Sequence, residues 1–226
     1  MRKLTLLAAL AAATAISSPA MAGSADGKWQ VKVLGTGVLP DGKITKVYTD
    51  PGLPTGTQTK ANDNVVPTVA IEYFVLPNMS IETICCLTQH DVDASAGDLA
   101  GAELVSNAKL IPATFTAKFH LPTGTGIKPY AGVGATYFLW VDQNPGSATV
   151  GAPFNIDKLK LSDEFGLVLQ GGLDVALGES GFGITADVKK YFVDTKARWS
   201  SGGTEVLATK HKLDPWVISA GVSYRF

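Results

Sequence analysis

Apolar and polar residues alternate along most of this chain, and this alternation limits the folds that the chain can adopt. Successive side chains of a β-strand point to opposite faces, so a period of two is typical of strands whose faces differ in chemistry. The clearest example is the final segment, whose apolar positions are Trp216, Ile218, Ala220, Val222, Tyr224 and Phe226. The pattern predicts eight strands, at residues 28–39, 65–75, 78–90, 109–121, 127–141, 161–177, 182–197 and 216–226. The sequence therefore predicts an all-β fold.

The connections between these strands alternate between short and long. The short ones are residues 77–78, 121–126 and 178–181, and the long polar ones are residues 40–64, 91–108, 142–160 and 198–212. Short periplasmic turns, longer extracellular loops and an even number of strands are typical of bacterial outer-membrane barrels. In that arrangement both termini of the chain lie in the periplasm.

The period alone does not say whether the apolar face points inward, as in a soluble barrel, or outward to lipid. Three features favour the outward direction. The other face carries the charges and is rich in glycine. Aromatic side chains such as Trp29, Tyr73, Phe192 and Trp216 lie near strand ends on the apolar face, like the girdles at membrane interfaces. The sequence therefore predicts an eight-stranded antiparallel transmembrane β-barrel.

The N-terminal segment has the three parts of a secretory signal peptide. Arg2 and Lys3 precede an apolar run at residues 4–16, and Ala20-Met21-Ala22 provides small residues for cleavage. The run is too short for a membrane-spanning helix, which needs about 18 or more apolar residues. We expect a signal peptide at residues 1–22, a single barrel domain at residues 23–226, and a location in the outer membrane of a Gram-negative bacterium.

Composition excludes several other classes of protein. The net charge of −1, from 19 basic and 20 acidic residues, provides no basic field for nucleic acid. Two cysteines cannot form a disulfide framework. Because Cys85 and Cys86 are adjacent, they would face lipid and lumen respectively, and we interpret both as small apolar residues.

Catalytic motifs are weak. His90, Asp91 and Asp93 are residue types that hydrolases and metal sites use, but neighbouring residues of a strand point to different faces. We interpret them as a solvated cluster, and no serine lies in a nucleophile motif. The sequence predicts neither an enzyme nor a cofactor or metal site.

The strand directions place the lumen-facing residues by height. The apolar ones, in the upper and middle lumen, are Leu34, Val38, Val66, Ile84, Pro112, Phe138, Trp140 and Val168. The charged ones, lower down, are Lys32, Glu72, Glu82, Lys118, Asp174, Asp187, Lys189 and Arg225. Buried charges must be paired, so we expect the second group to form ion pairs.

Two interpretations of this lumen stay open. In one, the apolar residues form a funnel for hydrophobic solutes, the ion pairs close the path to the periplasm, and solutes leave sideways into lipid. In the other, Leu34, Phe138 and Trp140 only fill the interior, because an eight-stranded barrel is just wide enough for its own side chains.

Several segments resemble the OmpW family of small outer-membrane barrels. They are Leu213–Val217, Ser219–Phe226, Lys128–Gly134, Leu110–Thr114 and Ala186–Tyr191. The long first loop and the Cys85-Cys86 pair are not part of the family pattern. The resemblance covers the predicted mature chain and implies an eight-stranded barrel surrounded by outer-membrane lipids.

The resemblance also implies a function, namely the passive uptake of small hydrophobic molecules, for which the alkane-importing members are the clearest case. Some members are bacteriocin receptors, so the alternative is a structural or surface-interaction barrel with a plugged lumen, such as an adhesin, an envelope stabiliser or a phage receptor. The aromatic residues Tyr224 and Phe226 are similar to the signal that the barrel assembly machinery reads.

Overall fold

The computed structural model describes residues 23–24, 26–50, 52–152 and 154–226, and the expected signal peptide at residues 1–22 lies outside these ranges. None of the described residues forms a helix that is long and apolar enough to cross a membrane. Regular secondary structure in these ranges consists of fourteen strands. In chain order they are β1 (Trp29–Leu39), β2 (Lys43–Thr49), β3 (Gln58–Ala61), β4 (Asn64–Leu76), β5 (Met79–Cys85), β6 (Thr88–Ala96), β7 (Glu103–His120), β8 (Ile127–Pro145), β9 (Lys158–Leu161), β10 (Glu164–Ala176), β11 (Phe182–Phe192), β12 (Asp194–Ser201), β13 (Thr204–Lys212) and β14 (Trp216–Arg225).

Eight of these strands form a closed antiparallel barrel. Their order is β4-β1-β14-β11-β10-β8-β7-β5, and β5 pairs with β4 to close the ring. Each strand therefore has a neighbour on both sides, which satisfies the backbone groups that would be costly to leave unpaired in lipid. The predicted eight-stranded antiparallel barrel is confirmed.

The faces of the barrel have the predicted directions. Phe165 and Val65 on the outer face are 79% and 77% exposed, whereas Lys32 and Glu72 on the inner face are fully buried. An apolar belt of this extent is costly in water and favourable in lipid. Aromatic pairs lie at both rims of the belt, with ring centroids 4.6–4.8 Å apart in Trp29–Tyr73, Phe182–Tyr224 and Tyr137–Phe165.

The wall continues beyond the belt at one end of the barrel, opposite the end where β1 begins and β14 finishes. The sheet β2-β13-β12-β9 follows the order β1-β14-β11-β10 of the strands beneath it, and we name it the first half-wall. The strand β3 pairs with β6, β6 pairs with the upper part of β7 (residues 103–109), and that part of β7 pairs with the upper part of β8 (residues 141–145). We name this group the second half-wall. The two half-walls form separate sheets.

The half-walls correct one prediction. The sequence predicts polar loops at residues 40–64, 91–108, 142–160 and 198–212, but much of each segment is strand. Outside lipid the outer face of a strand carries polar residues, so the contrast between faces that signals a strand is lost. The prediction of long loops is therefore wrong, although it places these segments on the correct side of the barrel.

Glycine makes room for one large side chain inside the barrel. Tyr130 on β8 is the register partner of Gly172 on β10, and a Cβ atom at Gly172 would overlap the tyrosine ring. The ring is buried against the ammonium group of Lys118, whose Nζ lies 3.7 Å from the ring centroid. Gly172 thus makes room for an aromatic ring that contacts the buried charges of the lumen.

Candidate functional site

A largely apolar cavity occupies the upper lumen and extends between the half-walls. Its walls include Val38, Leu110, Phe138, Trp140 and Leu213. About 970 Å³ of this region lies outside protein atoms, including the part that is open to solvent, but only about 60 Å³ accepts the centre of a water-sized sphere. About 10–15 Å³ of such space holds one water, so the passage is long and narrow.

Most of the predicted apolar residues lie in or beside this cavity. Val38, Val66, Phe138 and Val168 belong to one buried cluster, against which Trp140 packs. Pro112 and Ile84 line the cavity. Leu34 lies in a separate small cluster with Ala70 and Ile84.

The same cluster contains residues outside the predicted set of apolar lumen residues. They are Cys86, Leu110, Tyr191, Val193, Leu213 and Val217. Tyr191 and Val217 are on the inner face by strand parity, so extending the lumen pattern upward along β11 and β14 would have found both. Leu213 and Val193 lie next to the breaks between strands, where parity gives no prediction.

Beneath the cavity lies a buried network of charges that we name the floor. Glu82 is its centre, with Oε2 2.9 Å from Lys32 Nζ and 3.0 Å from Lys118 Nζ. Glu72 accepts from the same two lysines at 2.7 and 2.9 Å. The side chains of all four residues are 0–1% exposed, so these charges depend on one another for stabilisation.

The floor extends across the lumen through three further residues. Lys189 Nζ is 2.8 Å from Asp187 and 3.5 Å from Glu82, and Asp174 is 3.6 Å from Lys32 Nζ. Arg225 does not join this network. Its Nε donates to the carbonyl of Gly27 and its guanidinium lies 3.5 Å from the ring centroid of Phe74. The expected ion pair of Arg225 with a lumen carboxylate is therefore wrong within the described residues.

Polar and aromatic side chains complete the floor, and the sequence does not identify them. His120 Nε2 is 2.9 Å from Glu72 Oε1, Gln170 Nε2 donates to Glu82 at 2.9 Å, and Tyr130 lies over Lys118. All three residues are on the polar face of their strands, which is the signal that could have found them. They supply hydrogen bonds and contacts that buried charges need.

Glu72, His120 and Asp174 are residue types that bind metals, and they converge in the floor. Lys32 lies within 3.6 Å of both carboxylates, and Lys118 contacts Glu72. Two ammonium groups would repel a divalent cation at this position. The arrangement therefore fits an ion-pair cluster better than a metal site.

Two buried histidines face the upper cavity, one from each half-wall. His211 on β13 has Nδ1 3.1 Å from the carbonyl oxygen of Gly42 and Nε2 2.7 Å from Thr209 Oγ1. Because a carbonyl only accepts, Nδ1 is the donor and Nε2 accepts from threonine. His90 on β6 has the same arrangement with Asn62 and Thr88.

The environment of these histidines has two consequences. Burial lowers the pKa of His211 and of His90, partly offset by the hydrogen bonds to the carbonyls of Gly42 and Asn62. The interpretation of His90 as part of a solvated cluster is wrong, because it is 5% exposed and lines the cavity, whereas Asp93 is exposed. Each histidine therefore hydrogen-bonds a half-wall strand to a short connection, which is Gly42 before β2 for His211 and Asn62 between β3 and β4 for His90.

A second cavity lies farther out, between the half-walls. Its volume is about 410 Å³, and its lining includes Leu53, Leu104, Phe154 and Trp199. His211 lines both cavities, so they meet at its side chain. The outer cavity is thus a wider, largely apolar space that adjoins the upper cavity.

The barrel wall is interrupted beside the upper cavity. The pairing of β5 with β7 ends at Ile84–Thr114, and the pairing of β6 with β7 begins in the same register at Thr88–Leu110. Between these pairs, Cys86 lies opposite Pro112. On the other side, the pairing of β4 with β5 ends at Val69–Cys85.

Prolines account for the interruption. The backbone N–H groups of a strand point alternately to its two neighbours. His120 on β7 donates its N–H to Asn78, on the side of β5, so the nitrogen of residue 112, an even number of residues away, also points to that side. Phe74 on β4 donates to Lys28, away from β5, so the nitrogen of residue 67, an odd number of residues away, points towards the strand on the β5 side. Both positions are proline and have no N–H, which removes two ladder hydrogen bonds aimed at Cys86 and Leu87.

The residues expected to form an assembly signal, Tyr224 and Phe226, lie where the first and last strands of the barrel, β1 and β14, pair with each other. Phe226 exchanges backbone hydrogen bonds with Trp29, at 2.8 and 2.9 Å. The ring of Tyr224 stacks on Phe226 with centroids 5.8 Å apart and also contacts Phe182. These rings form part of the aromatic rim at the periplasmic end of the belt.

A closed eight-stranded barrel with an apolar outer belt, aromatic rims and charges paired inside defines an outer-membrane β-barrel. The model of the OmpW family matches residues 25–226, so the chain belongs to the OmpW family. The protein is located in the outer membrane of a Gram-negative bacterium.

Relatives agree with this assignment. The chain is 32% identical over 224 residues to an uncharacterised outer-membrane protein, y4mB, of Sinorhizobium fredii, covering 96% of this chain and 90% of that protein. The crystal structure of OprG from Pseudomonas aeruginosa has a TM-score of 0.75 at 22% identity, covering 91% of this chain and 99% of that one. The solid-state NMR structure of AlkL in lipid bilayers has a TM-score of 0.71 at 22% identity, covering 93% and 95%. The two structures support the fold.

Proposed function

We propose that this barrel mediates the passive uptake of small hydrophobic molecules. They enter the outer cavity, pass His211 into the upper cavity and leave through the interrupted wall into the bilayer. One observation carries the proposal, namely an apolar path that begins between the half-walls and ends at a break in the wall above a sealed floor. The family resemblance supports the same class of solute.

The chemistry of the path favours apolar solutes. Phe138, Trp140 and Leu110 line it, and burial of apolar surface is favourable by about 25 cal/mol per Å². Polar solutes would lose their hydration without gaining enough hydrogen bonds in exchange. The narrow lumen must widen by side-chain rotation, which suits thin or flexible molecules.

The position of the break supports release to the side. Cys86 and Pro112 line the cavity from within, while Leu87, which follows Cys86 in the chain, is 47% exposed on the lipid-facing side. Below the cavity, passage to the periplasm would require separating charges that are almost fully buried. Separation of that kind costs far more than entering a hydrocarbon phase, so the bilayer is the favoured destination.

Uptake by cells tests the proposal. Cells that express the protein are compared with cells that carry the empty vector for entry of hydrophobic probes of graded width. The variant Phe138→Glu, Trp140→Glu places charges on the path and is expected to remove the gain in uptake. Folding of each variant is checked by its heat-modifiable mobility in gels. Equal uptake by the wild type and empty-vector cells would refute the proposal.

The adjacent cysteines provide a second test that does not depend on transport rate. Cys86 lines the cavity and is 8% exposed, whereas Cys85 points outward. In the variant Cys85→Ala, a hydrophobic solute is expected to slow the reaction of Cys86 with a small neutral methanethiosulfonate. In the matched variant Cys86→Ala, the same solute should leave Cys85 unprotected. Equal protection of both thiols would contradict binding in the lumen.

The alternative is a structural or surface-interaction barrel whose lumen is only filled. The small free volume of the upper cavity favours it. It predicts no uptake above the empty vector and no protection of Cys86. In that case the half-walls would be the surface through which the protein contacts its partners.

A further inference from the structure

Basic side chains are concentrated on the outer side of the first half-wall. Each of its four strands contributes two, namely Lys43 and Lys46 on β2, Lys158 and Lys160 on β9, Lys196 and Arg198 on β12, and Lys210 and Lys212 on β13. The same strands contain two acidic residues, Asp194 and Glu205. The overall net charge of −1 therefore conceals a strongly basic face.

The register places like charges next to one another. Lys210 is paired with Lys46 on one side and with Lys196 on the other, and Lys212 is paired with Lys43. Arg198 is paired with Lys160 on β9. Like charges that are directly opposite on neighbouring strands destabilise a sheet, so these rows carry a cost that a bound anion would remove.

Carboxylates balance only part of this face. Lys210 is 2.6 Å from Asp194, and Lys212 is 3.1 Å from Asp214. Among the described residues, Lys46, Lys158, Lys160 and Lys196 have no carboxylate within 4.0 Å. The face therefore has an excess of positive charge that the protein itself does not compensate.

The second half-wall has the opposite composition. Its strand segments contain two basic residues, Lys60 and Lys109, and four acidic ones, Asp91, Asp93, Glu103 and Asp142. Lys109 is paired with Asp142 at 3.0 Å. The excess of positive charge is thus specific to one side of the barrel.

This basic face meets the lipid-facing belt in a groove. Phe165 and Phe192 form its apolar side, and Lys196, Lys210 and Lys212 form its polar side together with Glu164, Asp194 and Asp214. The volume of the groove is about 490 Å³. Phe165 is 79% exposed, so an acyl chain on the belt would bring its headgroup to these lysines.

We infer that the first half-wall binds the phosphorylated headgroup of lipopolysaccharide in the outer leaflet. Its lipid A part combines acyl chains with phosphate groups on sugars, which matches aromatic rings below and ammonium groups above. Lys46 and Lys196, which lie over the ring of Tyr48 and have no carboxylate within 4.0 Å among the described residues, supply the charge, and Lys210 lies between them in the register. The inference does not depend on uptake through the lumen.

Binding of fluorescent lipid A to the purified full-length protein in zwitterionic micelles tests this inference. The variant Lys46→Gln, Lys196→Gln, Lys210→Gln is expected to bind bisphosphorylated lipid A roughly ten- to a hundredfold more weakly, since each lysine near an anionic lipid surface strengthens binding by up to about fivefold. The matched variant Lys28→Gln, Lys60→Gln, Lys109→Gln loses the same charge elsewhere and should bind like the wild type. Dephosphorylated lipid A should bind weakly to all three proteins.

Three results would overturn the inference. They are unchanged binding by the first variant, equal binding of the dephosphorylated lipid, and binding of a heparin fragment in place of lipid A, which would indicate a soluble polyanion. Heat-modifiable mobility checks that each variant is folded. If the triple variant fails this check, Lys46→Gln, Lys196→Gln replaces it, because these two lysines are not in ion pairs within the described chain.

Discussion

Lys32 and Val38 lie six residues apart on β1, on the same inner face, but they belong to regions with opposite chemistry. Lys32 is fully buried in the floor among carboxylates, and Val38 lines the apolar cavity. Around the floor the strands pair continuously, whereas around the cavity the wall is interrupted at Cys86 and divides into two half-walls above. The composition of the lumen and the continuity of the wall therefore change together with height.

The difference has a physical reason. Buried charges are stabilised only by partners at fixed distances, so the strands that carry them must hold their register. Apolar contacts are not directional, and a cavity lined by them tolerates missing ladder hydrogen bonds such as those removed by Pro67 and Pro112. We therefore expect the floor to be rigid and the upper lumen to be able to change shape.

The largest expected effect is the loss of the central carboxylate of the floor. Glu82→Leu removes the carboxylate that lies within 3.5 Å of Lys32, Lys118 and Lys189, and it is expected to lower the free energy of unfolding by about 3–5 kcal/mol. Urea titration followed by heat-modifiable mobility measures it. The matched change Glu205→Leu removes an exposed partner 3.8 Å from Arg198 and should cost at most about 1 kcal/mol. Similar costs at both sites would contradict the mutual dependence of the floor charges.

Adjacent glycines allow a second test in the same region. In Gly172→Ala the new Cβ overlaps the ring of Tyr130, which covers Lys118, and we expect a loss of about 1–3 kcal/mol. In Gly171→Ala the new Cβ has its nearest neighbour at 4.0 Å, so stability should be unchanged or slightly higher. Unfolding midpoints in urea distinguish the two variants. Equal midpoints would show that Tyr130 can move without cost.

A third prediction concerns the upper wall. Pro112→Val restores the N–H that faces Cys86, and one added ladder hydrogen bond is expected to stabilise the barrel by about 0.5–1.5 kcal/mol. If solutes leave at this break, the same variant should reduce the uptake of hydrophobic probes. Pro129→Val, on the same barrel at the periplasmic end of β8, is the control and should leave uptake unchanged. Faster uptake by Pro112→Val would locate the exit elsewhere.

The sequence predicts the lower region better than the upper one. Alternation identifies Glu72, Glu82 and Lys118 because each is a charge on an otherwise clear strand face. The floor partners His120 and Gln170 follow the same parity, but the sequence does not say which charged residue each of these side chains will contact. Pairing distances depend on register between strands, which the period of two does not determine.

In the upper region the sequence signal fails for a different reason. Strands above the belt have water on one side and a partly open cavity on the other, so β12 and β13 resemble polar loops. The basic rows of the first half-wall become visible only when the register brings Lys46, Lys210 and Lys196 together. Separated by up to 164 positions in the chain, these lysines form no charge run that a sequence pattern could identify.

The smallest expected effect concerns the junction of the two cavities and depends on pH. Burial holds the pKa of His211 below its usual value near 6.5, so in the range between these two values the unfolded chain binds a proton that the folded site does not. This contribution to stability is fully present above about pH 6.5 and is lost as the pH falls through that range. The thermal midpoint of the wild type should therefore drop more steeply between pH 7 and 5 than that of His211→Gln, whose amide can still donate to Gly42. Because His90 is held in the same way, the variant keeps part of the slope, and only the double variant His90→Gln, His211→Gln should approach a flat profile. Parallel slopes in all three proteins would mean that the histidines at the cavity do not couple the half-walls to pH.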